Sequence, residues 1–246
     1  MRPRRTARRV DHGTVPLRAA VFASLLVLAA CAPDVQRAAA SALPRCDDLE
    51  FTGDLTAQEC QLQTAGQTLR VSYAPLAAGA AAGAVSIEVI GDRDQVRQVL
   101  LEPDVPQYLP VTSEDIDGDG RADIRIERER GAVNTASALW IYSGAGARYE
   151  RAGQISGVTI ERTADGFIAA PSRSNAATWS VPFYRLSDIG LVPLATVEVS
   201  GEDLAGGGVR STCRLVEGSG LAAIGLSERE AEEKFCAEPA AQVFGP

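Results

Sequence analysis

Residues 115 to 123 read DIDGDGRAD, with aspartates at 115, 117, 119 and 123 and glycines at 118 and 120. Two unit charges about 4 Å apart repel by roughly 1 kcal/mol in bulk water and about 4 kcal/mol at an effective dielectric of 20, so carboxylates this dense need a compensating charge. The spacing points to the chemistry. Asp115, Asp117 and Asp119 stand at loop positions 1, 3 and 5, the carbonyl of Arg121 at 7 and Asp123 at 9, with Gly120 at position 6, where the chain must turn sharply. An all-oxygen set of this kind suits Ca2+, which takes about six to eight ligands in a flexible shell, whereas Mg2+ demands a tighter octahedron. Asp and Gly are also common turn formers, and a solvated turn is the alternative reading.

The elements that must hold this loop are strands. Position 12 is Ile126 rather than the bidentate glutamate of an EF-hand, and Pro103, Pro106 and Pro110 exclude a regular helix on the entering side. Downstream, ADIRIER alternates apolar and polar residues. The loop is therefore expected between two strands, with a structural rather than a switching role. The same period of two recurs at Leu69, Val71 and Tyr73, at Val85, Ile87 and Val89, and at Trp179, Val181 and Phe183. Turn signals separate these runs: GDRD at 91 to 94, SGAGA at 143 to 147, ADG at 164 to 166 and SDIG at 187 to 190. An all-β domain of meander, barrel-like or propeller-like type is expected over residues 45 to 200, with the alanine-rich stretch 75 to 84 as a flexible loop. GEDLAGGG at 201 to 208 reads as a hinge into a C-terminal appendage, residues 201 to 246. There Ser227 and Glu230 form a capping box that opens a short helix to about Phe235.

The two ends of the chain set its compartment. Residues 1 to 30 combine an arginine-rich start with the apolar run AAVFASLLVLAA, too short for a stable membrane anchor, and end at Leu28-Ala29-Ala30-Cys31, which resembles a bacterial lipobox. Cys31 would become the lipidated first residue, and residues 31 to 44 the tether between lipid and domain. Ala32 supplies no aspartate of the kind that retains lipoproteins at the inner membrane, so the expected place is the outer membrane, facing the periplasm. Loss of the leader removes six of the 24 Lys+Arg (Arg2, Arg4, Arg5, Arg8, Arg9 and Arg18) and one of the 32 Asp+Glu (Asp11), leaving 18 and 31, a net charge of −13. That balance argues against nucleic acid and favours cations or basic proteins as partners. The single histidine, His12, goes with the leader, which excludes Ser/His/Asp and Cys/His mechanisms. Four cysteines remain, Cys46, Cys60, Cys213 and Cys236. An even number in an exported chain points to disulfides, and of the three connectivities Cys46 with Cys60 and Cys213 with Cys236 is favoured, each closing a short loop.

The run DIDGDGRADIRI followed by NTASALWIYSGAGARYER resembles the calcium-loop unit of FG-GAP and VCBS-type β-propeller repeats. Over residues 85 to 200, with TADGFIAAPSRSNAATWSVPFYRL and GLVPLATVEVS, it resembles a narrower group of exported bacterial lipoproteins. That group includes periplasmic immunity lipoproteins that inhibit peptidoglycan-cleaving lysozymes. The resemblance implies a degenerate propeller-like fold, a structural Ca2+ held by Asp115, Asp117, Asp119, Arg121 and Asp123, and no catalytic residues. Only one such loop is visible, and the cysteine-framed ends lie outside the repeat pattern.

Three functional classes follow. The first is a non-enzymatic binding module on a lipid anchor, an inhibitor of a basic cell-wall hydrolase in its sharpest form. The second is a structural envelope lipoprotein whose calcium only holds the fold. The third is a carboxylate glycosidase, for which Glu88, Glu127 and Glu129 are the available acids, although RIERER more simply describes the outer face of a strand. Trp140, Tyr142, Trp179, Phe183 and Tyr184 could stack on a sugar, but at alternating strand positions such residues more often build a core.

Overall fold

A computed structural model describes residues 43 to 244 except 53, 54, 65, 76 to 81, 145 and 189. The leader, Cys31, nearly all of the tether and most of the alanine-rich stretch lie outside the described residues. Among those described, no helix is long and apolar enough to cross a membrane.

The all-β expectation holds, as three antiparallel sheets. The first is a meander of β1 (Gln58–Thr64), β2 (Gln67–Pro75), β3 (Gly83–Ile90) and β4 (Val96–Val105), paired in that order. Its period-two residues line up across strands: Leu69 faces Val89, Val71 faces Ile87 and Tyr73 faces Val85, all six buried. Burying each such side chain contributes about 1.5 to 3 kcal/mol, and the alternation directs them to one face. The second sheet is a meander of β5 (Val111–Glu114), β6 (Asp123–Arg130), β7 (Thr135–Ser143) and β8 (Arg148–Gly157). Ile124 and Ile126 of β6 pack with the inner face of the first sheet in one shared core.

Side chains rather than a backbone ladder join the two sheets. Gln98 of β4 donates from Nε2 to the Tyr149 carbonyl at 2.7 Å and accepts the Tyr149 N–H at Oε1 at 2.9 Å, copying a strand pair with a side-chain amide. Glu102, 1% exposed, accepts from Nε and Nη2 of Arg151 at 2.9 and 2.8 Å and is paired with Nη1 of Arg128 at 3.0 Å. Arg128 also donates to the carbonyls of Pro103 and Asp104.

The third sheet comprises β9 (Glu161–Arg162), β10 (Ile168–Ala169), β11 (Ser172–Arg173), β12 (Thr178–Ser187), β13 (Gly190–Asp203) and β14 (Val209–Glu217), ordered β14-β13-β12-β10-β9 with β11 also on β12. Residues 201 to 203 end β13 and residues 204 to 208 turn the chain into β14, with Asp203 paired to Val209, so the sheet continues past the boundary expected at residue 200 and no hinge separates the two parts. The helix follows as α1 (Glu228–Cys236), capped as expected: the Ser227 N–H donates to Glu230 Oε2 at 2.9 Å, and Ser227 Oγ accepts the Glu230 N–H. Its buried residues, Ala231 and Phe235, face the sheet, and the Phe235 ring lies 4.5 Å from that of Phe183.

Both disulfides pair as favoured. Cys46 is bonded to Cys60 across 14 residues, and Cys213 of β14 to Cys236 of α1 across 23. Closing loops of this length is worth about 3 kcal/mol each in the chain-entropy account. The Cys213→Ser/Cys236→Ser variant is accordingly expected to melt lower than the native domain, with α1 exchanging its amides faster than β12 and β13.

Of the five aromatic residues singled out, Phe183 is fully buried, and Trp140, Tyr142, Trp179 and Tyr184 are half-buried against the cores. Glu88 pairs across strands with Arg70 at 2.7 Å, Glu127 is bonded to Arg130, and Glu129 is exposed.

Candidate metal centre

The aspartate loop joins β5 to β6, so it is a strand-loop-strand element, as its flanks required. Two residues fix it to the protein. Ile116 turns inward and packs with Leu139, Ala152, Ile155, Ile168 and Ala170, a core lying between the second and third sheets. Asp123 opens β6 and is fully buried. Between these anchors the chain crosses two left-handed positions, Gly118 (φ 77°) and Gly120 (φ 83°). A Cβ on Gly120 would meet nothing within 4 Å, so its need for glycine is purely conformational. Gly120→Ala is expected to lower stability by about 1 to 2 kcal/mol through that backbone alone, readable as a shifted denaturant midpoint with an unchanged slope.

All four carboxylates accept backbone N–H groups. Asp115 takes those of Gly118 and Gly120 at 2.7 and 3.0 Å, Asp117 that of Asp119 at 3.0 Å, and Asp119 that of Arg121 at 2.8 Å. Asp123 takes those of Ile116 and Tyr142 at 2.9 and 2.8 Å. These donors are the compensation that counting charges in the sequence misses: the loop is wound so that its own amide dipoles point at its carboxylates.

Oxygens of Asp115, Asp117 and Asp123 lie within 4.8 Å of one another. Three hard oxygen donors converging from an exposed, a half-buried and a fully buried residue fit a divalent cation of the Ca2+ type. Asp119 is not in that trio; it is exposed and borders a neighbouring groove. Arg121, expected to offer its carbonyl, sends its guanidinium over the ring of Tyr142 at 5.6 Å. Two contributors escaped the sequence reading. The Tyr142 N–H comes from β7, and Arg162 of β9 packs its guanidinium against Gly118, 2.5 Å from where a Cβ would stand. No spacing in the sequence connects either to the loop, because strand pairing brings Tyr142 there and packing of the third sheet beside the second brings Arg162.

Burial pushes the Asp123 carboxyl up to about 6, and the charge of Asp117 adds to this, while the Tyr142 and Ile116 N–H groups pull the other way. Burial also raises Asp117, helped by Asp119 and Asp115 and opposed by the Asp119 N–H and Arg162. A carboxyl raised in the folded state above its unfolded value of about 3.9 contributes stability that is fully present below that value and lost as pH rises through the folded pKa. In chelator, therefore, the melting temperature of the native protein relative to Asp123→Asn is expected to fall between about pH 4 and pH 6. A difference that stays flat across this window would contradict the burial of an ionising Asp123. No family model matches this chain, and no curated protein or solved structure is significantly similar to it.

Proposed function

We propose that this chain is an exported, lipid-anchored β domain, braced by one Ca2+ and working as a non-enzymatic binding module for a basic protein of the cell envelope. The convergence of Asp115, Asp117 and Asp123 carries the calcium part of this reading. Bound there, the ion would supply only charge compensation and cross-linking of β5, β6 and the loop; the chain's own residues orient the carboxylates through their amide donors. The lipid anchor rests on Cys31 and its lipobox, and the outer membrane facing the periplasm on Ala32. Two four-strand meanders in sequential order are the unit from which propeller blades are built, which supports a degenerate propeller-like relationship. The partner reading is supported by the net charge of −13 left when the leader is discounted. Its sharpest form is inhibition of a peptidoglycan hydrolase.

Titration calorimetry with CaCl2 tests the metal site, one saturable site per chain being expected and an absence of binding overturning it. Capture from periplasm on immobilised protein, together with a turbidity assay of a basic lysozyme, tests the partner. A lysozyme rate unchanged by excess protein would remove the inhibitor reading and leave the binding module to the capture experiment.

A further inference from the structure

Beside the candidate metal centre lies an open groove of about 360 Å³, walled by the aspartate loop, by β7 and β8, and by the β12–β13 turn. That volume is at the small end of ligand sites, about 300 to 1,000 Å³, and suits one long side chain better than a chain of sugars. Its floor is apolar, from Ile141, Ala152 and Leu186, members of the core between the second and third sheets. Its lining carries Asp117, Asp119, Glu150 and Asp188 and the basic Arg151, and the Arg121 guanidinium lies beside the lining residues Tyr142 and Gly144. Arg151 is held through Nε and Nη2 by Glu102, a carboxylate that it shares with Arg128. Asp117 belongs to the candidate metal trio, and Glu150 holds Arg148 at 3.3 Å, a half-exposed pair of little strength. Asp119 accepts only the Arg121 N–H, and the exposed carboxylate of Asp188 has no ion-pair partner among the described residues. Two carboxylates without an ion-pair partner among the described residues, delivered by different elements to a groove with an apolar floor, are complementary to a group with a methylene stem and a forked cationic head.

We infer that this groove receives an arginine side chain of the basic partner, its stem on Ile141, Ala152 and Leu186 and its guanidinium between Asp119 and Asp188. The fork of a guanidinium matches carboxylates on two sides, and its weak hydration lets the stem lie on an apolar floor. The inference rests on the binding-module reading and adds where, and through what chemistry, the partner is held.

The test uses the full folded domain in saturating Ca2+, with amide NMR shifts followed as N-acetyl-arginine amide is added. The neutral isostere N-acetyl-citrulline amide serves as control. Shifts confined to residues 119, 141 to 144, 150 to 152 and 186 to 188 are expected, with no saturable response to citrulline. Asp188→Asn/Glu150→Gln, which leaves the candidate calcium ligands untouched, is expected to weaken arginine binding about five-fold, from two exposed charges. Equal responses to the two amides, shifts elsewhere, or an unchanged affinity in the folded double variant would each overturn the groove assignment. Because the wild-type comparison needs no variant, a misfolded double variant does not shield the inference. Capture of a basic protein by wild type and double variant alike would retain the binding module and reject the groove, whereas arginine binding without any protein partner would do the reverse.

Discussion

Asp123→Asn is expected to abolish the rise in melting temperature that the proposed Ca2+ would give the native domain. A ligand bound only by the folded state adds about 2.7 kcal/mol at a hundred times its Kd and about 4.1 kcal/mol at a thousand times. For a domain of this size that corresponds to a rise of about 5 to 15 °C. Asp123 would be the decisive ligand, because it is the buried member of the trio and fixes both sides of the site, through the N–H of Ile116 in the loop and that of Tyr142 in β7. An asparagine there keeps the shape and removes the charge a cation requires. Asp119→Asn, by contrast, is expected to retain most of the calcium effect, since its carboxylate stands outside the trio. Melting curves of the three proteins in CaCl2 and in chelator decide the matter. A native Tm indifferent to calcium would end the metal reading, and an Asp119 variant as damaged as Asp123→Asn would restore the loop geometry expected from spacing alone.

The second large effect is expected away from the site. Glu102→Ala should destabilise the domain by about 3 kcal/mol, the lower end for breaking a buried ion pair, because Arg128 and Arg151 keep partial access to water. The Tm should drop by about 6 to 12 °C. One carboxylate serves two guanidiniums from different strands of the second sheet, so its loss strands both charges at the seam with the first. Glu102→Met/Arg151→Met tests that account. Removing the acid and one of its two bases together is expected to recover part of the loss, since Arg128 still lacks its carboxylate, and a double variant no better than Glu102→Ala would show that the carboxylate acts through something other than its pair with Arg151.

Much of this architecture was written locally and could be read locally. Period-two alternation placed β2, β3, β6 and β12, because each buries one face and a residue shifted by one would point at water. The capping box named the start of α1, and loop closure favoured the correct disulfides. Gly120 was recognisable because a backbone demand shows in residue type. What escaped depends on pairing between distant segments. GEDLAGGG read as a hinge because glycine content marks any sharp reversal, and only the register of Asp203 with Val209 identifies it as a hairpin turn. The Tyr142 N–H, the guanidinium of Arg162 and the presence of Asp188 on the same groove as Asp119 likewise come from contacts between distant segments. The sequence also overstated the electrostatic conflict of the loop, since carboxylates can be counted in a string of letters and the N–H dipoles aimed at them cannot.

The clasp of Gln98 on Tyr149 has a consequence for solubility. β4 ends the first sheet and carries Val99 and Leu101 57% and 54% exposed on its outer face, a combination that invites another chain to add itself as the next strand. Gln98 points toward the second sheet and engages Tyr149, while Arg128 occupies the carbonyls of Pro103 and Asp104. Pro103 itself has no N–H to offer. Contacts with the second sheet thereby occupy part of this last strand, which limits the length over which another chain can add to it.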